Sequence, residues 1–243
     1  IVDKATGTVL VVLAGRPDDL GYVECSERVM EAILRAGDMA DFTASERNHR
    51  RSEDSAAVNI GVYYGGGTGA PCNLDHGKRS DAMRELVANP DVSRMAVFAD
   101  AAFKLWMPKV YNDVNSTLNK LYEHDRSLTK NWKANAYPCA AFNFGPRVRC
   151  KPHKDFGNAP QTFCAVQASG RFNPMRGGHL IIKELKIFIH FPAASTILIP
   201  SALLTHSNTP VGAHEIRLSF TQFVPGGLLR YVHNGFKTER RLK

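Results

Sequence analysis

Several features that would assign the chain to a familiar class are missing from the sequence. It has no run of about 18 apolar residues, so no membrane-spanning helix is predicted. Its five cysteines include no CxxC pair and are odd in number, so neither a zinc knuckle nor a disulfide framework is supported, and a reducing compartment fits better. The glycine-rich run at 65–69 is not followed by Gly-Lys-Ser or Gly-Lys-Thr, which excludes a phosphate-binding loop of that type.

What is present is the composition of a basic globular protein. The 243 residues are 44% hydrophobic and 22% charged, which is ordinary for a folded domain with a sizeable core. The formal net charge of +8 favours polyanionic partners, nucleic acid above all, although a basic solvated surface would give the same count. The sequence begins at Ile1 without a methionine or a charged-then-apolar leader, so we expect no secretory signal and a longer parent protein.

Apolar residues at helical spacing predict three helical regions in the first half of the chain. These regions are residues 26–39, 80–87 and 98–121. Ser26 is the predicted N-cap of the first region, and Pro108 interrupts the third. Across that interruption we predict one core-facing stripe, made of Leu105, Trp106, Val110, Val114, Leu118 and Leu121. The polar stretch at 43–55 is predicted to be a loop whose cationic cluster, 47–51, is more typical of a solvated surface than of a phosphate contact.

Short apolar segments separated by Gly, Pro and Asn dominate the second half, from residue 140 onward. With two β-branched runs in the first half, they predict strands at 8–13, 58–64, 140–144, 162–168, 179–182, 187–191, 196–199, 216–223 and 228–231. Such spacing is typical of an antiparallel β-sandwich or barrel. The predicted fold class is α+β, with a helix-rich half at 1–139 buttressing a β-rich half at 140–243. No linker or repeat marks a boundary, so we expect a single unit over 1–243.

His153 and Asp155 lie two residues apart, in a segment that is predicted to be a strand end. Side chains at i and i+2 of an extended segment point to the same side, so both can reach one metal ion. His206 follows the predicted strand at 196–199 and can supply a third ligand from a distant part of the chain. Two imidazoles and one carboxylate can hold one face of an iron(II) octahedron and leave three positions open. The sequence therefore predicts catalytic iron ligands at His153, Asp155 and His206.

Arg217 and Ser219 lie on the next predicted strand and share its parity, so both can face the same interior. A fixed arginine can clamp a carboxylate with two hydrogen bonds, which suits the far carboxylate of 2-oxoglutarate. We therefore predict an oxygenase that uses iron(II), 2-oxoglutarate and O2, with Arg217 and Ser219 binding the cosubstrate. The alternative is structural: His206 caps a turn, and Arg217 pairs with Glu215 or another surface acid.

Several short motifs accompany this candidate site. They are Leu13-Ala14-Gly15-Arg16-Pro17, Tyr64-Gly65-Gly66-Gly67, Phe142-Asn143-Phe144-Gly145-Pro146, His153-x-Asp155-x-x-Asn158, Gly177-Gly178-His179-Leu180, Leu198-Ile199-Pro200-Ser201, His206-Ser207-Asn208 and Arg217-x-Ser219-Phe220-Thr221-Gln222-Phe223. Each is weak alone, but together they cover nearly the whole chain and the combination resembles the Tet/JBP-like dioxygenases of mushroom-forming fungi. The resemblance implies a double-stranded β-helix (jelly-roll) core, dependence on iron(II) and 2-oxoglutarate, and oxidation of methyl groups on DNA bases.

The resemblance also implies roles for individual residues. The iron ligands of the family match His153, Asp155 and His206, and its 2-oxoglutarate arginine matches Arg217. Asn158 matches a residue that contacts a base flipped out of the duplex, and Phe223 matches an aromatic residue that stacks on that base. We accordingly expect DNA with methylated bases as the partner, no membrane, a monomer and, as the resemblance implies, a nuclear location.

Pro225 departs from better-studied relatives, which often have a histidine there that bonds to cytosine. Proline offers no side-chain hydrogen bond, so 5-methylcytosine and N6-methyladenine both remain open as the substrate base. Arg147 and Arg149 are predicted at the mouth of the site with Lys151 and Lys154, either holding phosphates or forming a solvent-facing strand edge. Two other functions remain open: a protein or small-molecule hydroxylase on the same fold, and an inactive jelly-roll that only binds DNA.

Overall fold

The computed structural model describes residues 1–238, in which six α-helices and ten β-strands occur. The helices are α1 (Gly21–Ala40), α2 (Ala44–Arg47), α3 (Ser80–Ala88), α4 (Pro90–Trp106), α5 (Pro108–His124) and α6 (Gly226–His233). The strands are β1 (Val12–Gly15), β2 (Ala56–Tyr63), β3 (Cys72–Asn73), β4 (Cys139–Phe144), β5 (Cys164–Arg171), β6 (Leu180–Ile182), β7 (Ile187–Ile189), β8 (Thr196–Ile199), β9 (His206–Asn208) and β10 (Ile216–Phe223). None of the helices in this part of the chain has the length and apolar character of a membrane span.

The strands form a large and a small antiparallel sheet that share a hydrophobic core. The large sheet has the strand order β1-β8-β5-β10-β4-β2-β3, and the small sheet has the order β7-β6-β9. Strand β1 pairs with β8, and strand β2 pairs with β4. The large sheet therefore contains strands from both the helix-rich and the β-rich half of the sequence. Apolar residues of both sheets, such as Val166, Ile197, Leu180 and Ile182, pack into one cluster between them. This arrangement is the predicted α+β fold with a double-stranded β-helix core.

Strand β10 shows how the two faces of the large sheet are used. Its even-numbered residues Leu218 and Phe220 are fully buried in the cluster onto which α1 packs. Its odd-numbered residues line a cavity on the opposite face; these are Arg217, Ser219, Thr221 and Phe223. Because side chains alternate along a strand, one face of β10 packs against the helices while the other is available for binding.

Pro108 separates two helices, as the sequence predicts, but the predicted core-facing stripe does not cross it. Val114, Leu118 and Leu121 of α5 are buried, whereas Leu105 and Trp106 are 73% and 55% exposed. Helix α4 ends at Trp106 because a proline at the next turn cannot continue its hydrogen-bond ladder. The periodicity of α4 therefore does not carry over into α5, and each helix has its own buried face.

Helix α1 begins earlier than predicted. It starts at Gly21, and Ser26, the predicted N-cap, lies buried inside the helix. The carbonyl oxygen of Ser26 accepts a hydrogen bond from the Ser169 hydroxyl on β5, at 2.7 Å. Ser26 therefore helps to attach α1 to the large sheet instead of starting the helix.

The segment 228–231, predicted to be a strand, is helical and belongs to α6. A run of only four apolar residues fits either type of element. As part of a helix, Leu228, Leu229 and Val232 pack into a cluster with residues of α4 and α5. Gly227 allows the close approach of α6, because a Cβ at this position would lie 2.0 Å from the carbonyl oxygen of Tyr64.

Candidate metal and cosubstrate site

His153, Asp155 and His206 form one cluster, in which the candidate ligand atoms all lie within 4.8 Å of one another. His153 Nε2 lies 3.7 Å from Asp155 Oδ1, and His206 Nε2 lies 3.7 Å from Asp155 Oδ2. The backbone N–H of each histidine donates to the carbonyl oxygen of the other, and Asp155 N–H donates to the carbonyl oxygen of Ser201. Backbone pairing between distant segments therefore holds the three side chains together.

Hydrogen bonds on the far side of both rings determine which nitrogen faces the cluster. His153 Nδ1 lies 2.7 Å from the carbonyl oxygen of Lys151, and His206 Nδ1 lies 3.0 Å from that of Leu204. A carbonyl oxygen can only accept, so Nδ1 carries the proton in each ring and the Nε2 lone pair is free for a metal. Such a second hydrogen bond usually accompanies a metal-bound histidine. The donor set of two imidazoles and one carboxylate fits iron(II) with three open positions.

The surroundings of His153 favour its neutral, metal-binding form. Burial lowers the pKa of His153, and the neighbouring His206 lowers it further. An imidazole must be unprotonated at one nitrogen to bind a metal, so protons compete less strongly for His153 than for an exposed histidine.

Arg217 is a buried cation that has no counter-ion among residues 1–238. Its side chain is 2% exposed, Nε has no hydrogen-bond partner, and Nη1 makes only a long contact of 3.4 Å with the carbonyl oxygen of Val148. Glu215 does not pair with it, because that carboxylate accepts hydrogen bonds from the backbone N–H groups of Gly212 and Asn173. Burial lowers the pKa of Arg217 to about 10, which leaves it charged at neutral pH. An uncompensated buried charge is costly, so an anionic ligand is the expected partner.

Two glycines of the Gly177-Gly178 motif allow close packing beside Arg217. Gly178 has a φ of 72°, and a Cβ there would lie 2.7 Å from the Phe172 ring and 3.1 Å from Cδ and Nε of Arg217. A Cβ on Gly177 would lie 2.3 Å from the carbonyl oxygen of Pro210. The rings of Phe172 and Phe191 also lie 6.0 Å from the guanidinium carbon. Arg217 therefore lies between close-packed backbone, two aromatic rings and the cavity.

Arg217 and the histidine–aspartate cluster line the same cavity, of about 220 Å³. Ser219 also lines it, is 4% exposed, and accepts a hydrogen bond from Asn143 Nδ2 at 2.9 Å. Because the amide donates to Oγ, the hydroxyl proton of Ser219 is free to point into the cavity. Asn143 was not predicted as a site residue. It is the cross-strand partner of Ser219 on β4, and only this pairing of distant strands identifies it.

Asn158 and Phe223 lie in this cavity as well. Asn158 Nδ2 donates to the Ser201 hydroxyl at 2.9 Å, which leaves its Oδ1 available to a ligand. Phe223, at the end of β10, is 9% exposed and joins the hydrophobic cluster between the sheets. Pro225 is not part of the cavity wall; its backbone pairs with that of Asn158, and it precedes the first turn of α6.

Arg147 and Arg149 do not lie at the mouth of this cavity, contrary to the prediction. They border a separate cavity with Lys151, and Arg147 Nη1 donates to the carbonyl oxygen of Ala213. The reason is that successive side chains of an extended segment point to opposite sides. Val148 occupies the buried position, so the side chains before and after it face outward.

Three residues of the predicted solvated loop at 43–55 lie in the cavity wall instead: His49, Arg51 and Ser52. Arg51 Nη1 lies 3.0 Å from Asp155 Oδ1 as an ion pair, but without the direction of a hydrogen bond. His49 Nε2 donates to the carbonyl oxygen of Ser55, and its Nδ1 accepts from the backbone N–H of Arg51. The contact between Arg51 and Asp155 joins distant parts of the sequence, so no local pattern predicts it.

No protein-family model and no curated protein matches the sequence. Solved structures do match the fold. NgTET1 in complex with 5mC DNA matches with a TM-score of 0.60 at 13% sequence identity, over 88% of this chain and 71% of that chain. A weaker match is an oxidoreductase of the 2OG-Fe(II) oxygenase family from Burkholderia pseudomallei, with a TM-score of 0.39 and 15% identity over 86% of this chain and 92% of that chain. The first likeness shows the fold and agrees with the predicted double-stranded β-helix core.

Proposed function

We propose that the chain is an iron(II)- and 2-oxoglutarate-dependent dioxygenase that oxidises methyl groups on DNA bases. One observation carries the proposal: the buried Arg217, which has no carboxylate partner in the described part of the chain, lies in the same cavity as His153, Asp155 and His206. The three ligand side chains suit a metal with open positions, and the arginine suits a carboxylate. 2-Oxoglutarate can satisfy both requirements at once, because it carries a metal-binding keto acid at one end and a carboxylate at the other.

The side chains of the cavity have separate tasks in this proposal. His153, Asp155 and His206 would hold the iron, while Arg217 and the Ser219 hydroxyl donate hydrogen bonds to the far carboxylate of 2-oxoglutarate. The chemistry supplied by bound iron(II) is oxidation of a C–H bond by O2, coupled to conversion of 2-oxoglutarate into succinate and carbon dioxide. Apolar lining residues, among them Val166 and Leu180, limit the access of water to this region.

The choice of a DNA base rests on Asn158 and Phe223, on the net charge of +8 and on the fold shared with NgTET1, which was solved with 5mC DNA. An extruded base needs a stacking face and an edge that can be read. The Phe223 ring offers the face, and Asn158 Oδ1 can accept from an exocyclic amino group, which cytosine and adenine both carry. The proposal therefore includes 5-methylcytosine and N6-methyladenine. Membership of the Tet/JBP-like group, a monomeric state and a nuclear location belong to the same proposal.

Mass spectrometry of nucleosides tests this function directly. The protein is incubated with iron(II), 2-oxoglutarate, ascorbate and duplex DNA that contains 5-methylcytosine or N6-methyladenine, and the DNA is then digested. We expect oxidised methylcytosine or loss of N6-methyladenine, together with succinate. Succinate formed on a peptide with no change in any methylated base would favour a protein hydroxylase. DNA binding without any succinate would favour an inactive jelly-roll.

Phe223→Leu is expected to impair base oxidation without affecting iron binding. Leucine keeps most of the packing between the sheets but has no aromatic face, and base–aromatic stacking contributes roughly 1–3 kcal/mol per base. We expect kcat/KM for methylated DNA to fall about 5- to 150-fold, while manganese(II) affinity measured by calorimetry stays at the wild-type value. Phe223→Tyr is the control, because it keeps the ring. Equal losses for both variants, or an equal loss of metal affinity, would contradict a stacking role.

A further inference from the structure

A groove leads from the protein surface to the metal-ligand cluster. It shares part of its wall with the central cavity, including His49, Arg51, His153 and Gly157. Its outer part is lined by Phe42, Glu46, Arg50, Ala56, Val58, Arg79, Lys154 and Phe156. We call this feature the entrance groove. A ligand whose reacting group enters the central cavity along this route must leave the rest of its structure in the entrance groove.

Phe156 is an exposed aromatic residue beside the metal ligands. Phe156 directly follows Asp155 in sequence. Its side chain is 75% exposed, which is the largest exposed fraction of any phenylalanine among the described residues. The turn that carries it is fixed, because Asp155 N–H donates to Ser201 O and Asn158 N–H donates to Asp155 O. The ring is therefore presented to solvent at a defined position in the groove wall.

The entrance groove is positively charged. Four of its lining residues are Arg or Lys, and one is Glu. Three of these cations have a carboxylate partner: Arg79 pairs with Glu46 at 2.8 Å, Arg51 with Asp155 at 3.0 Å and Lys154 with Glu184 at 3.2 Å. Arg50 is exposed and has no carboxylate within ion-pair distance in the part of the chain that the structure describes. The groove therefore combines an exposed aromatic ring with Arg50, which has no carboxylate partner among residues 1–238, and with the partly exposed Lys154.

The loop that supplies Arg50 and Arg51 is held in place before any ligand binds. Thr43 and Glu46 form a capping box at the start of α2, and the Glu46 carboxylate forms an ion pair with Arg79. Further along, the backbones of His49 and Ser52 pair with each other. A loop fixed in this way loses little conformational entropy when a ligand binds, which distinguishes it from the solvated loop predicted for 43–55.

We propose that the entrance groove binds the nucleic-acid strand on one side of the base that enters the central cavity. Phe156 stacks on the neighbouring base, and Arg50 and Lys154 contact the adjacent phosphates. An aromatic platform beside cations is the combination that binds single strands, because every base has a stacking face and every linkage has a negative charge. This inference rests on the proposed function for the identity of the ligand, but it assigns a surface outside the cavity that holds the reacting base.

The test measures binding without turnover. Protein loaded with manganese(II) and 2-oxoglutarate is titrated into fluorescein-labelled single strands, one with a central 5-methylcytosine and one without the methyl group, at several KCl concentrations. Phe156→Ala is expected to weaken binding about 5- to 150-fold. Arg50→Ala and Lys154→Ala are each expected to reduce the slope of log K against log salt by about 0.7. Because these residues contact the flanking strand, the losses are expected to be equal for both oligonucleotides.

Matched controls are residues that do not line the groove. Phe188→Ala removes another exposed phenylalanine, in the small sheet, and Lys109→Ala removes an exposed lysine on α5. Both are expected to bind like the wild type. Manganese affinity of each groove variant, measured by calorimetry, separates loss of the strand from damage to the neighbouring ligands. Wild-type affinity and salt slope in the three groove variants would overturn the inference.

The outcomes for the groove and for the proposed function can be told apart. If the wild-type protein oxidises a methylated base while the groove variants bind like the wild type, the function stands and the groove assignment is wrong. If the groove variants lose binding as expected but no methylated base is oxidised, the groove stands and the proposed function is wrong. Binding of poly-glutamate with no binding of either oligonucleotide would show that the groove takes acidic peptides, and would also overturn the inference.

Discussion

His206→Ala is expected to abolish turnover and to lower metal affinity by more than about 100-fold, since loss of a residue that merely supports a ligand already costs 10- to 100-fold. His206 Nε2 lies 3.7 Å from Asp155 Oδ2, and its Nδ1 bonds to a backbone carbonyl. The metal-ligand group found among the described residues has only two other members, His153 and Asp155, so the substitution removes one of three ligands. The measurement is calorimetric titration with manganese(II), which needs no turnover, followed by the base-oxidation assay.

The same substitution is expected to leave the fold intact. Strand pairing at His206 uses its backbone N–H and C=O groups, which bond to His153 and do not need the imidazole. Thermal unfolding of the metal-free variant should therefore resemble that of the wild type. His179→Ala is the matched control, because His179 precedes the neighbouring strand β6 and bonds to Thr209 outside the metal cluster. Turnover retained by His206→Ala, or lost equally in His179→Ala, would rule out the assigned metal site.

The part of the site that the sequence predicted is the part built on strand alternation. Residues 216–223 were predicted as a strand and are β10, and the shared parity of Arg217 and Ser219 places both on the cavity face. The i and i+2 spacing of His153 and Asp155 likewise predicted that their side chains point to the same side, and both belong to the metal-ligand cluster. A period of two is a local property, so it can be read from a short stretch of sequence.

The errors arose where local patterns are ambiguous or where distant segments meet. Residues 228–231 are too short for their periodicity to separate a strand from α6, and packing against α5 decides the outcome. Arg147 and Arg149 are near His153 in sequence, but the buried Val148 turns both away from the cavity. Arg51 reaches Asp155 from a distant loop, and no local pattern in either segment announces that contact.

Arg217→Met is expected to have opposite effects on stability and on cosubstrate binding. In the ligand-free protein it removes a buried cation that no carboxylate among residues 1–238 neutralises, and it leaves the Val148 carbonyl bonded to Asn208 Nδ2. Replacing buried charge with a packed apolar side chain often stabilises a protein by about 1–4 kcal/mol. We therefore expect a higher free energy of unfolding for the variant than for the wild type when 2-oxoglutarate is absent.

Addition of 2-oxoglutarate is expected to stabilise the wild type far more than the variant. The wild type should gain about 2.7 kcal/mol at a concentration 100 times its Kd, whereas Arg217→Met should gain almost nothing, because its affinity falls by more than about 100-fold when the charge-assisted bonds are lost. Arg217→Lys keeps the charge but not the planar fork, so its gain in stability should lie between those of the wild type and Arg217→Met.

The measurement is chemical denaturation of manganese-loaded protein with and without 2-oxoglutarate, and Arg149→Ala serves as the control for a general loss of positive charge. A destabilised Arg217→Met protein that still gains stability from 2-oxoglutarate would mean that Arg217 is a structural residue and that the dicarboxylate binds elsewhere.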